Sequence, residues 1–259
     1  MHLDATYLKW LYTSNPSGNL LGYDAWQSGR LAAHYACVPV EARVAGQLVQ
    51  LLLSLNTATH PDFQGKGLFV RLAEATYEAA AARGFAGAYG VANAHSTPGF
   101  LRKLGFTLIA PLDAQLGIGH LQEAAPEIVA EHADFQRVWS PEALAWRVAN
   151  PARPYSIVRA AEGWIGAHAA TNRIGVRAWA QVPQPAMAIR APTKRFGALL
   201  RLHLGLIPEG ARRHSGAWFA VPQRMRASPL NMIYRAFDQN VAVPATGRIA
   251  FGNLDFDAF

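Results

Sequence analysis

The chain has a single cysteine, Cys37, and no long uninterrupted apolar segment. One thiol closes no intrachain disulfide and cannot supply a thiolate metal site, so a disulfide scaffold and a cysteine-based zinc module are both excluded. The longest apolar run, Leu48 to Leu55, is broken by Gln50 and is far too short to cross a bilayer. The opening "MHLDATYLKW" lacks a basic stretch leading into an apolar one, which predicts no secretory signal. Charged residues make up only 16% of the chain and apolar residues 51%, a balance that excludes disorder and suits one or two well-packed cores. With 259 residues, two domains are expected. These features predict a cytoplasmic enzyme with no membrane partner.

What charge there is runs positive, with 24 Lys and Arg against 17 Asp and Glu and a net charge of +7. Such a surplus suits nucleic acid, an anionic membrane face or a phosphorylated small molecule. The cations are dispersed, the densest patches being "PTKRF" and "EGARRHS". No nucleic-acid-binding motif accompanies them, so no nucleic-acid partner is expected.

Residues 20 to 55 read as β structure: "NLLGYDAW", "GRLAAHYACVPVEAR" and "GQLVQLLLSLNTAT" are strand-like runs divided by turn residues. The third is nearly continuous apolar, as a central strand covered on both faces would be. Pro61 ends its ladder. From Gly67 the period changes: Leu68, Leu72, Ala75 and Ala79 form a helical stripe closed near Gly84. "FAGAYGVAN" is a strand, Pro98 starts a helix that Gly105 stops, and "TLIAPL" is a further strand. "DAQLGIGHLQEAAPEIVAEHAD" reads as part linker and part amphipathic helix. "SPEALAWRVAN" is a helix with Ser140 as N-cap. Strands "YSIVRAA", "GWIGAHAAT" and "GVRAWAQV", a helix "TKRFGALLRLHLGL", a strand "GAWFAVP", a short helix "NMIYRAF" and a strand "RIAFGNLDF" follow. The second half thus repeats the coarse order of the first, which suggests two related modules.

The junction "THPDFQGKGLF" carries the chemistry. Backbone N–H groups in a glycine-containing turn that opens a helix form an anion site, through oriented donors and the helix dipole. Glycine permits close backbone approach. The spacing is neither that of a P-loop nor that of a dinucleotide fingerprint. On these residues alone, an ordinary strand-to-helix turn remains an equal reading.

Gln64-Gly65-Lys66-Gly67-Leu68 resembles the Gln/Arg-x-x-Gly-x-Gly/Ala pyrophosphate loop of the GCN5-related N-acetyltransferases (GNATs). "NAHSTPGFLRKLGF", about thirty residues on, resembles that family's second signature, an Asn followed by a helix closing in Leu-Gly-Phe. The resemblance covers residues 20 to 110. It implies an α+β GNAT fold, a splayed, mostly antiparallel mixed sheet flanked by helices, followed by a second GNAT-like module. It further implies acetyl-CoA as acyl donor, no metal, and a small-molecule primary amine as acceptor, an amino sugar among the options. Gln64, Gly65, Lys66, Gly67 and Leu68 correspond to the pyrophosphate loop. Thr57, Ala58 and Thr59 correspond to the strand that bonds the pantetheine. Asn93 and Phe100 correspond to positions beside the cofactor arm. Residues 1–125 are expected to bind acetyl-CoA, and residues 126–259 to form a degenerate module that shapes the acceptor site.

Departures from the family pattern concern catalysis. The strand glutamate that often serves as base falls on Leu51, and the tyrosine acid falls on Leu101. Candidates for proton transfer are therefore His34, Tyr35, Tyr89 and His95, with positioning alone as the alternative. In the second half, "IRAPTKRFGALL" puts proline and cations where a glycine loop would stand. Trp146, Trp164, Trp179, Trp218 and Tyr155 are either acceptor walls or core, and Asp255 and Asp257 are either acceptor contacts or solvated carboxylates. Two other functions stay open: a CoA-binding protein that senses without catalysing, and a double-module peptidyl transferase using aminoacyl-tRNA, which the "QGKG" loop argues against.

Overall fold

A computed structural model describes residues 4–123, 126–159, 165–171, 173–182, 200–226 and 228–256. The chain begins with α1 (Ala5–Thr13), a helix the sequence reading had not assigned, then β1 (Leu21–Gln27), β2 (Arg30–Val44), β3 (Gln47–Thr59) and α2 (Leu68–Ala81). β4 (Gly87–Ala92), α3 (Thr97–Lys103), β5 (Thr107–Pro111) and β6 (Asp113–Glu123) follow, then α4 (Pro126–His132), β7 (Phe135–Arg137) and α5 (Pro141–Val148). The remaining elements are β8 (Ser156–Arg159), β9 (Ile165–Ala170), β10 (Val176–Val182), β11 (Leu200–Gly205), β12 (Arg212–Ala220), β13 (Asn231–Ala236) and β14 (Ile249–Ala250). These elements form two compact units. The first comprises Leu11–Pro111 with Ser228–Val243, and the second Met1–Trp10, Leu112–Ala227 and Pro244–Phe259.

In the first unit the strands lie in the order β1-β2-β3-β4-β13-β5. β3 and β4 pair in parallel, the α2 crossover making this possible, and every other neighbour is antiparallel. α2 packs Ala73, Tyr77 and Ala80 against Tyr35, Leu52 and Ala88 of the sheet, and Phe100, Leu104 and Phe106 close the same core. This is the mixed, mostly antiparallel α+β sheet that the resemblance implied.

The second unit holds a six-stranded sheet in the order β12-β6-β11-β10-β9-β8. Read from the other edge, it matches the first strand for strand. β10 and β11 are its parallel pair, and the other neighbours are antiparallel. β6 stands between β11 and β12 as β13 stands between β4 and β5. The strand that follows β5 in the chain thus completes the second sheet, and the strand that follows β12 completes the first. α5 supports this unit: Ser140 Oγ accepts from the Ala143 N–H at 3.1 Å, the cap expected of it. Buried Arg147 donates to the carbonyls of Leu254 (2.8 Å) and Phe256 (2.7 Å), tying down the carboxy-terminal turn.

Three element assignments differ from the sequence reading. "NMIYRAF" is not a helix but β13, with Met232, Ile233 and Tyr234 each fully buried. A strand covered on both faces loses the alternation that separates it from a helix. The supposed linker from Asp113 is β6. Gly117 there marks no loop, since a Cβ would stand 2.4 Å from the Trp218 ring. Residues 200–205 of the expected "TKRFGALLRLHLGL" helix form β11, while 193–199 lie outside the described residues, as does most of "IRAPTKRFGALL".

A single cut near residue 125 leaves β13 behind. Deleting three wholly buried large side chains at about 2–5 kcal/mol each exceeds much of a domain's usual stability of about 5–15 kcal/mol. Residues 1–125 alone are expected to show no cooperative thermal transition. β5 and β13 pair with Pro111 opposite Asn231, so joining Pro111 directly to Ser228 makes Ser228–Leu230 a short hairpin loop. Residues 4–111 joined in this way to 228–243 are expected to melt cooperatively by circular dichroism.

Candidate active site

β3 and β4 pair from Leu51–Gly87 to Ser54–Gly90 and no further, although β3 continues to Thr59 and β4 to Ala92. At the last rung a Cβ on Gly90 would meet Ser54 at 3.3 Å, so glycine permits the close approach there. Beyond it β3 carries a bulge. Cys37 pairs with Ser54 but Tyr35 with Thr57, leaving one extra residue on β3 at Leu55–Asn56. The bulge bends β3 away from β4 and keeps it on β2. The gap so opened is a cavity of about 430 Å³ bordered by Ser54, Leu55 and Thr57, by Gly90 and Val91, and by Phe69, Ser96, Gly99 and Phe100.

At the end of β3, Pro61–Phe63 form a short 3-10 turn capped by the His60 imidazole, which accepts from Asp62 N–H at 3.2 Å. Gln64 Nε2 donates to the Thr59 carbonyl at 3.3 Å. Gly65 and Gly67 follow with φ of 74° and 71°, the left-handed region that glycine reaches without strain. Gly67 is the N-cap of α2 and offers no side-chain acceptor to the helix, and a Cβ on it would meet nothing within 4 Å. The helix therefore opens on backbone donors with space in front of them, the local requirement for an anion site. Lys66 sits with its ammonium 4.8 Å from the Phe63 ring and, with Arg71, borders a neighbouring cavity of about 600 Å³.

Asn93 follows β4 and caps the turn that leads into α3. Its Oδ1 accepts from the N–H groups of His95 and Ser96, both at 3.0 Å, and its carbonyl accepts from Thr97 Oγ1 at 2.7 Å. Thr97 in turn accepts from Asn231 Nδ2 at 3.0 Å, which fixes this corner to the segment entering β13.

On the other face of β3 lies a chain of polar side chains. Asp24 pairs with His34, and His34 with Ala58, across β1, β2 and β3. His34 Nδ1 is 2.6 Å from Asp24 Oδ1, and its Nε2 is 3.1 Å from the Tyr12 hydroxyl. Asn56, at the bulge, donates from Nδ2 to the Tyr12 oxygen at 2.8 Å. Burial raises the Tyr12 phenol above its ordinary value, an effect that the Asn56 bond offsets and the Asp24 charge adds to.

The family model described as an acetyltransferase (GNAT) domain matches residues 13–109. Residues 13–109 thus carry a GCN5-related N-acetyltransferase domain. The first unit's sheet, with its single parallel pair parting at the cleft, is the body of that domain. Similar solved structures include a probable N-acyltransferase of Enterococcus faecalis V583, 12% identical, with a TM-score of 0.56 over 91% of this chain and 66% of that one. A GCN5-related N-acetyltransferase of Anabaena variabilis is 13% identical, with a TM-score of 0.55 over 92% and 67%. One from Kribbella flavida is 12% identical, with a TM-score of 0.54 over 83% and 60%. At such identities the likeness concerns the fold, and the chain spans about two thirds or less of the length of these proteins. No curated protein matches the sequence.

The GNAT domain distributes the sequence-assigned residues unevenly. Thr57, Asn93, His95 and Phe100 border one cavity, while Lys66 and Leu68 border the other. Ala58 is exposed and Thr59 half-buried on the outgoing end of β3, and Gln64 and Gly65 are exposed in the loop. Phe100 is a core residue as well as a wall, packed edge-on against Phe69 and Phe106.

Among the proton-transfer candidates, Tyr35 and Tyr89 are fully buried. The Tyr35 hydroxyl bonds Ser54 Oγ at 2.7 Å and Tyr77, and burial pushes both phenols well above the ordinary range. The neighbouring Cys37 thiol is pushed up to about 12, again by burial. This cluster is a packed polar core rather than a reaction surface. His95 is exposed, and His34 is joined to a carboxylate. Leu51 is fully buried at the start of the parallel pairing, and past its end β3 presents Asn56 to Tyr12 on the face away from the cavity.

Tyr12 and Asp24 had no role in the sequence reading. Counting back from the two-residue Ser28-Gly29 turn puts Asp24 opposite Ala33. A bulge between Ala25 and Trp26 moves it opposite His34. In the second unit Trp146, Trp179 and Tyr155 are core residues, whereas Trp164 and Asp257 lie outside the described residues. Asp255 is not solvated: it is buried, accepts from the Gly252 N–H at 2.7 Å, and is raised to about 6 by desolvation. Among the described residues no group of three or more His, Cys, Asp or Glu side chains is gathered as a metal would need, and no helix is long and apolar enough to cross a membrane.

If the Tyr35 hydroxyl serves packing, Tyr35→Phe costs about 1–3 kcal/mol through the buried partners it abandons. Turnover per folded molecule is expected to hold within about tenfold, well below the loss of a general acid or base. Denaturant melts and thiol-release assays on the same samples separate the two effects.

Proposed function

We propose that the chain is an acetyl-CoA-dependent N-acetyltransferase that acts on a primary amine of a small molecule. The observation that carries this reading is the parting of β3 from β4 beside a helix that opens on unshielded backbone donors. The pyrophosphate would lie against the N–H groups from Gly65 to Leu68, where the α2 dipole favours negative charge. The pantetheine would run along the outgoing end of β3 at Thr57, Ala58 and Thr59, into the cavity that Asn93 and Phe100 border. The thioester would then reach the bulge, where backbone N–H groups turned out of the ladder can polarise its carbonyl. The basic surplus of the chain assists capture of a polyanionic donor.

The acceptor is a primary amine, which must lose a proton before it attacks. An amino sugar is the class we favour, and acceptor screening decides it. The second unit, rather than residues 126–259 as one block, is taken as a GNAT-like module without a coenzyme of its own. A photoreactive CoA analogue is expected to label peptides between residues 57 and 100 and none between 192 and 205.

The loop gives a sharper test. Asn tolerates the left-handed backbone that Gly67 adopts, whereas Val does not. Gly67→Asn therefore keeps the turn and places a side chain in the open space before the helix. Loss of one charge-assisted contact, about 1.5–3 kcal/mol, weakens acetyl-CoA binding by about tenfold to a hundredfold. Calorimetry on a variant with unchanged melting temperature reads this directly. Unchanged affinity would put the phosphates elsewhere.

A further inference from the structure

We propose that Tyr12, backed by His34 and Asp24, is the group that takes the proton from the acceptor amine. The proposal rests on the N-acetyltransferase reading. It supplies the proton carrier for which neither Leu51 nor Leu101 is chemically competent.

The hydrogen-bond directions follow from donor and acceptor capacity. The Asp24 carboxylate can only accept, so His34 Nδ1 carries the hydrogen of the 2.6 Å contact. Nε2 of the neutral ring is then an acceptor, and the Tyr12 O–H donates to it across 3.1 Å. Asn56 Nδ2 donates to the Tyr12 oxygen at 2.8 Å. One lone pair on that oxygen remains for an incoming N–H. The chain thus has a single polarity, running from Asn56 and the amine toward Asp24. A carboxylate–imidazole pair behind a hydroxyl is the arrangement in which the ring takes the hydroxyl hydrogen and the carboxylate holds the resulting imidazolium; here the hydroxyl oxygen gains the amine proton as it gives up its own. The raised position of the Tyr12 phenol agrees with a relay, since the phenolate is never formed.

Placement supports the chemistry. Side chains alternate across a strand. Tyr35 and Thr57 pair on the face of the sheet that α2 covers, where Tyr35 joins the α2 core and Thr57 borders the 430 Å³ cavity. His34 and Ala58, the next pair, face the other way. Asn56 ties this second face to the bulge, where β3 leaves β4. A thioester lying in the cleft and an amine arriving beside Tyr12 would meet from opposite sides of one strand. His34 and Asp24 keep side-chain exposures of 24% and 41%, so a proton collected there can pass on to water.

The step balances as follows. The ammonium gives one proton to the Tyr12 oxygen as the Tyr12 hydrogen passes to His34 Nε2, leaving an imidazolium held by Asp24. The amine nitrogen bonds to the carbonyl carbon, the carbon–sulfur bond breaks, and the thiolate leaves. The thiolate takes the second nitrogen proton, giving the amide and free CoA thiol. The imidazolium returns its proton to solvent.

Two measurements on the full chain test the relay. In 15N-histidine NMR, the neutral His34 ring is expected to carry its hydrogen on Nδ1; a hydrogen on Nε2 would overturn the proposal. Turnover is measured by thiol release from acetyl-CoA with glucosamine, spermidine, lysine and kanamycin. Tyr12→Phe and His34→Ala are each expected to lose about a hundredfold or more in kcat, while acetyl-CoA affinity by calorimetry stays within about twofold. Added imidazole is expected to restore His34→Ala by about tenfold and to leave Tyr12→Phe unchanged, a difference that a purely structural role would not produce. Losses below about tenfold, or a failure of rescue in folded His34→Ala, would overturn it. So would wild-type protein that binds acetyl-CoA but acetylates none of the four amines. Absence of acetyl-CoA binding would instead remove the acetyltransferase reading beneath it.

Discussion

The rest of the first unit depends on one constraint: β3 must pair with β4 in parallel and then stop. The parallel rungs need the α2 crossover, so the turn before α2 is fixed at the end of β3. The stop needs a bulge, because only an extra residue lets β3 keep its ladder to β2 while bending from β4. Gly90 sets the last close rung and Gly67 the first turn of the helix, two glycines with different physical duties. Cavity, loop and helix terminus are consequences of that single divergence.

The same constraint explains what the sequence revealed and what it hid. The β1–β2–β3 meander, the α2 stripe and the turn at Gly65–Gly67 were legible because each has a local signature: alternation, helical period, and glycine where φ is positive. β13 was hidden because its burial on both faces erased its period. β6 was hidden because its Gly117 answers to Trp218 across the ladder, which no local rule reports. The Asp24–His34 contact was hidden by a bulge that shifts the register by one residue. His34 could be suspected as a residue type, but its partners are properties of strand register and of a helix that is distant in sequence.

The two sheets share one strand order and one pattern of pairing, and each takes its penultimate strand from the far half of the chain. Exchange of that kind links the folding of the units, since neither sheet is complete until both halves have been made. It also accounts for the length of the connections: the chain leaves the first unit after Pro111 and re-enters it at Ser228. Local composition cannot mark a domain boundary when the boundary is crossed by strands rather than by a linker. The buried clamp of Arg147 on the carbonyls of Leu254 and Phe256 is of the same long-range type.

Catalysis by such a fold needs two opposed chemistries within a few ångströms: donors for a phosphorylated thioester and an acceptor for an ammonium proton. In one solvated pocket they would compete, since cations and N–H groups that attract phosphate also repel the incoming ammonium. A strand resolves the conflict because its successive side chains face opposite sides. Thr57 borders the 430 Å³ cavity while Asn56, beside it, bonds Tyr12 on the far face. Lys66 and Arg71 lie on the side of the loop and α2, and Asp24 is hydrogen-bonded to His34 of the polar chain. On the proposed reading the two sides would come into register at the bulge, because there the backbone leaves its ladder and its own N–H groups would face the carbonyl between them. A straight strand with the same side chains would separate donor from acceptor and leave no backbone donor for the oxygen that becomes negative in the transition state.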